Sequence, residues 1–363
     1  MKTEIKPEFL VSPFLVSFLV HGTQYGVGVL SFQRELAEFV GHDAWISIII
    51  TGFIIHILIW MIYTMLNNDK GDLFTIHQRT FGKWIGNLFS LLFILYVLTM
   101  AITVLRSYIE IVQVWMFPLL KTWPFALVLL LIVYYVVTSG FRAVTGICFL
   151  AVVFPAYLIL TFFVPIEFSN FRNLLPIFDH SIYDMVKSIK GASLSFSGFE
   201  YLLFYYPFIK NPASSQKYAH YGNLFTTLLY LLIMIVTLAF FDQEYLKIVI
   251  WPTLMMWKII KLPFVERFEI IGVTTWAVVM MPIICLMFWS ASRGIKKLFK
   301  VKQKKALVVL LFICFTISCF LTERETIQQY NQWTSEIGFY ILFCYLPVLF
   351  VCYHIRFKMG KKI

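Results

Sequence analysis

Ten stretches of about twenty mostly apolar residues follow one another along this chain, at roughly 10–32, 44–66, 85–108, 122–139, 143–165, 188–209, 221–241, 267–291, 305–321 and 336–355. A bilayer core takes about 20 helical residues to cross, and it holds no water to satisfy an open backbone N–H or C=O. The expectation is an all-α polytopic membrane protein with ten transmembrane helices, built as a single integral membrane domain over residues 1–363. Composition excludes an ordinary soluble domain: charged residues make up 13% of the chain against about 25% in soluble proteins.

The loops set an orientation. With the N-terminus inside, nineteen of the thirty lysines and arginines fall on the cytoplasmic side, against four acids. That bias follows the positive-inside rule and, with ten spans, puts both termini in the cytoplasm. The net charge of +11 is therefore concentrated in inner loops such as Arg293–Lys305, a topogenic segment that suits anionic lipid. Nucleic acid is not an expected partner. The opening MKTEIKPEF carries no pattern of a cleavable leader.

Two of the ten stretches are unlike the others. The sixth reads KSIKGASLSFSGFEYLLFYYP, with Ser193, Ser195, Ser197, Gly198 and an ionisable Glu200 in mid-span. The first has Gly22, Thr23, Gln24, Gly26 and Gly28 where a straight span carries leucines. Two readings stay open for each: a helix opened toward a cavity, or a small-residue face that lets neighbouring helices approach. An intramembrane Glu favours the first reading, because it is expensive in hydrocarbon and usually functional. Divided five and five, the interrupted spans open the two halves (about 10–165 and 188–355), which is how inverted-repeat transporters are built. No direct sequence repeat accompanies this symmetry.

Elsewhere, Phe74, Phe81 and Trp84 mark a short amphipathic helix suited to the membrane interface. The segment from Asp242 to Glu269 reads as an outer helical hairpin broken by Pro252 and Pro263. Arg106 with Glu110, and Arg267 with its glutamates, read as interface ion pairs. Tyr96 and Met100 in the third span and Pro282 in the eighth lie at cavity depth. The six cysteines lack metal-ligand spacing, and no catalytic motif or cofactor fingerprint occurs. Neither enzyme activity, a bound metal nor a cofactor is expected.

Several of these residues together resemble the B subunits of bacterial spore germinant receptors: SFSGFE (Ser195–Glu200) with Pro207, IWPT (Ile250–Thr253), ERFE (Glu266–Glu269), GKWIG (Gly82–Gly86) and YGVGVL (Tyr25–Leu30). That GerAB-type family is similar to the amino acid–polyamine–organocation transporters. The resemblance implies a LeuT-like fold of two inverted five-helix repeats with broken first and sixth helices. It implies a cell-membrane protein of the spore inner membrane that binds a small germinant, an amino acid by class, with A and C receptor subunits as partners. Its pocket would comprise Gly22, Thr23, Gly26, Gly28, Ser195, Phe196, Ser197, Gly198 and Phe199, lined further by Tyr96, Met100 and Ile283. Glu200 would be a proton carrier, a gating group or a bundle-stabilising partner. The alternative function is an ion-coupled amino acid permease, or a ligand-gated conduit for water or ions. Pocket residues do not separate sensing from transport, since both begin with the same binding event.

Overall fold

The computed structural model describes residues 5–360, and they are helical almost throughout. Helices α1 (Val16–Gln24) and α2 (Phe32–Val40) flank a break with a 3₁₀ turn at Val27–Leu30. They are followed by α3 (Ala44–Asp69), α4 (Leu73–Phe81), α5 (Lys83–Trp115), α6 (Thr122–Thr138), α7 (Phe141–Val153) and α8 (Phe163–Ile166). Helices α9 (Ile182–Ser195) and α10 (Leu202–Tyr205) flank the second break. Then come α11 (Gln216–Phe240), the short α12 (Gln243–Ile248) and α13 (Pro252–Lys258), α14 (Phe268–Phe299) and α15 (Gln303–Phe320). Helices α16 (Arg324–Phe339) and α17 (Leu346–Gly360) are joined through a π-helical segment at Tyr340–Tyr345.

Among the described residues, seven helices are long and apolar enough to cross a membrane. The three remaining apolar stretches fall outside that set for visible reasons. Thr122–Thr138 has 17 residues, and the first and sixth are interrupted. The chain is thus a polytopic helical membrane protein. Outward-facing side chains such as Phe53, Leu131, Leu160 and Phe312 stay exposed, as suits a surface solvated by lipid.

The two interrupted stretches run in opposite directions. Val11, ahead of α1, pairs with the end of the sixth stretch: its N–H donates to the Phe208 carbonyl at 2.8 Å, and its carbonyl accepts from Lys210 N–H at 2.9 Å. At the other end α2 packs on α9. The remaining packing repeats under exchange of the two halves. Helix α1 lies on α11 as α9 lies on α3, and α1 lies on α7 as α9 lies on α16. Helix α5 meets α15 as α14 meets α6, while α5 and α14 run along each other at the centre.

Two local expectations change, while the segment from Asp242 to Glu269 is helical and packs on the bundle, as read. Helix α4 docks in the bundle instead of floating at the interface: Phe74 is buried, 5.9 Å from the Phe204 ring, and Asp72 ahead of it pairs with Lys297 of α14. Trp84 does stay exposed. Arg106 is buried and forms no salt bridge with Glu110; it donates from Nε to the Leu321 carbonyl at 2.6 Å, where the end of α15 leaves a carbonyl open. Arg267, by contrast, does pair with Glu269 at 2.8 Å. The outer segment folds as α12 and α13, whose Leu254, Met256 and Trp257 are buried in the bundle.

Candidate functional site

The two breaks lie against each other. Helix α1 stops at Gln24 because the chain turns through Tyr25 and an extended Gly26. Helix α9 stops before Gly198, whose φ of +125° is a conformation that L side chains rarely adopt. A Cβ on Gly198 would stand 2.7 Å from Thr23 Cβ and 2.8 Å from its carbonyl oxygen, so the backbones of the two breaks touch there. The contact recurs one turn further out, where Gly28 meets Ser195: a Cβ would lie 2.6 Å from Ser195 Oγ.

Breaking a helix in hydrocarbon frees carbonyls, and side chains take them up. The Tyr230 hydroxyl bridges both breaks, 2.7 Å from the Gln24 carbonyl and 2.9 Å from that of Ser195. Gln24 Nε2 donates to the Phe196 carbonyl at 3.1 Å and to Asn223 Oδ1 at 3.0 Å, and its Oε1 accepts from Thr226 Oγ1 at 3.0 Å. His21 Nδ1 joins Thr226 at 2.9 Å. Asn223, Thr226 and Tyr230 were not among the expected site residues, yet a signal existed. Asn223, Thr226 and Tyr230 recur at i, i+3 and i+7, one polar stripe along an otherwise apolar helix. Tyr230→Phe is expected to leave the Ser195 carbonyl without a donor and the Gln24 carbonyl with only the Gly26 N–H at 3.1 Å, and to destabilise the protein by about 1–3 kcal/mol. Thermal unfolding in detergent measures it, and an unchanged melting temperature would remove Tyr230 from this role.

A cavity of about 350 Å³ opens beside the breaks. It is walled by Thr23, Gly26, Gly28, Ser195 and Ser197 from the broken stretches, by Met100 from α5 and by Ile283 from α14. It extends past Arg34, Glu35 and Glu38 on α2 and Glu110 on α5 to Trp251, Arg324 and Asn331. The Arg324 guanidinium sits over the Trp251 ring, 5.2 Å from its centroid. Thr103 and Asn331 both line the cavity, and each has a buried oxygen without a hydrogen-bond partner, Thr103 Oγ1 and Asn331 Oδ1. Such groups cost free energy until something fills the hydrogen bond.

Other expected pocket residues stand elsewhere. Gly22 faces Val152 and Cys148 and borders a separate cavity of about 240 Å³ with His21 and Tyr25. Phe196 packs edge-on to Tyr230 at 4.9 Å, and Phe199 is fully buried; neither lines the main cavity. Tyr96, Gly198 and Glu200 also lie behind its wall. Glu200 is sealed from solvent and accepts at both oxygens, from Gly198 N–H at 2.6 Å and from the Tyr96 hydroxyl at 3.1 Å. The N–H at this half-helix start is therefore occupied by a side chain of the same turn and is not open to a ligand. The outer wall was missed because the first span does not end near Phe32; α2 continues the helix to Val40 and carries Arg34, Glu35 and Glu38 into the cavity.

The relatives of this chain agree with one another. The model of the family described as spore germination protein matches residues 10–327. Spore germination protein GerQB of Bacillus cereus is 47% identical over 358 residues, covering 99% of both chains. Spore germination protein A2 of Bacillus subtilis is 26% identical over 95% of both chains, and spore germination protein B2 of the same organism 26% identical over 99% of this chain and 98% of its own. A family match along most of the chain, together with near-half identity to GerQB from end to end, shows that this protein belongs to the spore germination protein family, that of the GerAB-type receptor B subunits its sequence resembles.

Proposed function

We propose that this chain is a nutrient germinant receptor subunit whose ten helices form a LeuT-like pair of inverted five-helix repeats, over about 10–165 and 188–355, within a single membrane domain. The antiparallel interrupted stretches and the packing pairs that repeat under exchange of halves support the repeat. Both termini face the cytoplasm, the membrane is the inner membrane of the spore, and A and C receptor subunits are the partners.

The observation that carries the binding reading is the cavity beside the breaks, with unpartnered oxygens at Thr103 and Asn331. Its volume of about 350 Å³ sits at the lower end of the roughly 300–1,000 Å³ of small-molecule sites. Cations at Arg34 and Arg324 and carboxylates at Glu35, Glu38 and Glu110 suit a zwitterion, and Met100 and Ile283 offer an apolar wall for its side chain. An amino acid is the class that meets all three demands. Binding becomes a signal if the ligand prefers one of two arrangements of the bundle.

The test is equilibrium binding and uptake of labelled amino acids, measured in parallel on sealed vesicles holding the chain with its partner subunits. Saturable binding without accumulation is expected. Concentrative uptake under a Na⁺ or H⁺ gradient would instead make the protein a permease. Thr103→Val keeps the shape and removes the unpartnered hydroxyl, so it is expected to weaken binding about tenfold, the equivalent of one hydrogen bond of ~1.4 kcal/mol. An unaltered affinity in that variant would move the ligand elsewhere.

A further inference from the structure

Away from the cavity, the turn after α2 and the turn before α9 bring together His42, Asp43 and His180, whose ligating atoms all lie within 4.8 Å of one another. From this cluster we infer a site for a late first-row divalent cation, of the zinc class, on the outer side of the protein.

Asp43 is fully buried and organises the cluster. Its Oδ1 accepts from Phe178 N–H at 3.0 Å, and its Oδ2 accepts from Asp179 N–H at 3.0 Å and from His180 Nδ1 at 3.2 Å. Metal binding releases the proton between Asp43 and His180, so the nitrogen and the carboxylate oxygen that now share it can face one ion together. The Asp43–His180 pair alone would be an ordinary structural hydrogen bond. What that account leaves over is His42, 8% exposed, with its ring 5.2 Å from that of His180 and its Nε2 buried without any hydrogen-bond partner.

Two imidazoles and a carboxylate match zinc, cobalt or nickel in preference to magnesium or calcium, which select oxygen ligands. Donor atoms sharing one zinc stand about 3–3.5 Å apart, so seating the ion requires the rings to close inward. His180, whose side chain is 22% exposed, has the room to turn and leaves a water-accessible fourth position. The metal would join the outer ends of α2 and α9, the two helices that bring Arg34 and Leu194 to the cavity wall. Sequence spacing hides such a site, since His180 is 138 residues beyond His42 and no cysteine takes part.

Tag-free, full-length protein in detergent is titrated with Zn²⁺ against a chromophoric chelator, and melting is recorded with and without the ion. One Zn²⁺ per chain and a raised melting temperature are expected. His180→Gln should weaken affinity at least tenfold and abolish the melting shift that Zn²⁺ produces over the variant's own metal-free melting. His42→Gln should do the same to affinity. Equal Zn²⁺ affinity in wild type and in the double variant overturns the site. Should either variant fail to fold, Co²⁺ on the wild type decides: weak d–d bands of a nitrogen–oxygen tetrahedral centre support the site, and thiolate charge-transfer bands or no bound ion overturn it.

Discussion

Replacing Gly198 with alanine is expected to weaken ligand binding by more than tenfold, and replacing it with leucine to abolish the nutrient response of spores while the protein still accumulates. Two effects act in the same direction. A non-glycine residue at φ +125° carries backbone strain of about 1–3 kcal/mol. The added Cβ also stands 2.7–2.8 Å from Thr23, and two of the atoms it meets are backbone, which cannot rotate away. The breaks must separate, and both of them wall the cavity. Gly146 on α7 is the control, since it does not line the cavity and a Cβ there would meet nothing within 4 Å. Binding isotherms on purified protein and immunoblots of spore membranes measure the two parts. Wild-type affinity in Gly198→Ala would show that the meeting of the breaks does not shape the site.

Glu200 carries the second large effect. Glu200→Leu strands the Gly198 N–H and the Tyr96 hydroxyl inside the bundle, at about 1–3 kcal/mol for each orphaned donor. Glu200→Gln keeps an acceptor for one of them and should be milder. Ser193→Ala removes only a bond from Ser193 Oγ to the Lys190 carbonyl on its own helix, 2.7 Å long, and should be milder still. The expected order of loss in melting temperature and germination response is therefore Leu, then Gln, then the serine variant. In a Glu200→Leu background, Tyr96→Phe should cost little further, because its partner is already gone. Indistinguishable Gln and serine variants with wild-type behaviour would make Glu200 incidental.

The interruptions in the first and sixth stretches could be read directly, since glycines, hydroxyls and a carboxylate at mid-span are a local departure from hydrocarbon composition. Which way each residue faces could not. Phe196 and Phe199 flank Gly198 as Thr23 and Gly26 flank Tyr25, yet the two phenylalanines pack into the bundle and the first-span pair faces the cavity. Helical period loses its meaning at a break, where the chain turns through angles that no periodicity encodes. Helix ends were equally hidden. Hydropathy falls at Gln33–Glu35, but the helix runs on to Val40 because its charged face meets a polar cavity instead of lipid.

The sequence by itself determined that this chain lives in a membrane, where two helices open and which family it belongs to. These are properties of each segment against its solvent, and lipid judges every segment separately. Only the tertiary structure decided that Glu200 closes its own half-helix, that Tyr230 holds both breaks, that Arg324 reaches the cavity over Trp251, and that His42 and Asp43 meet His180. Each depends on groups far apart in the chain sharing a few ångströms, and that proximity is set by how the helices pack.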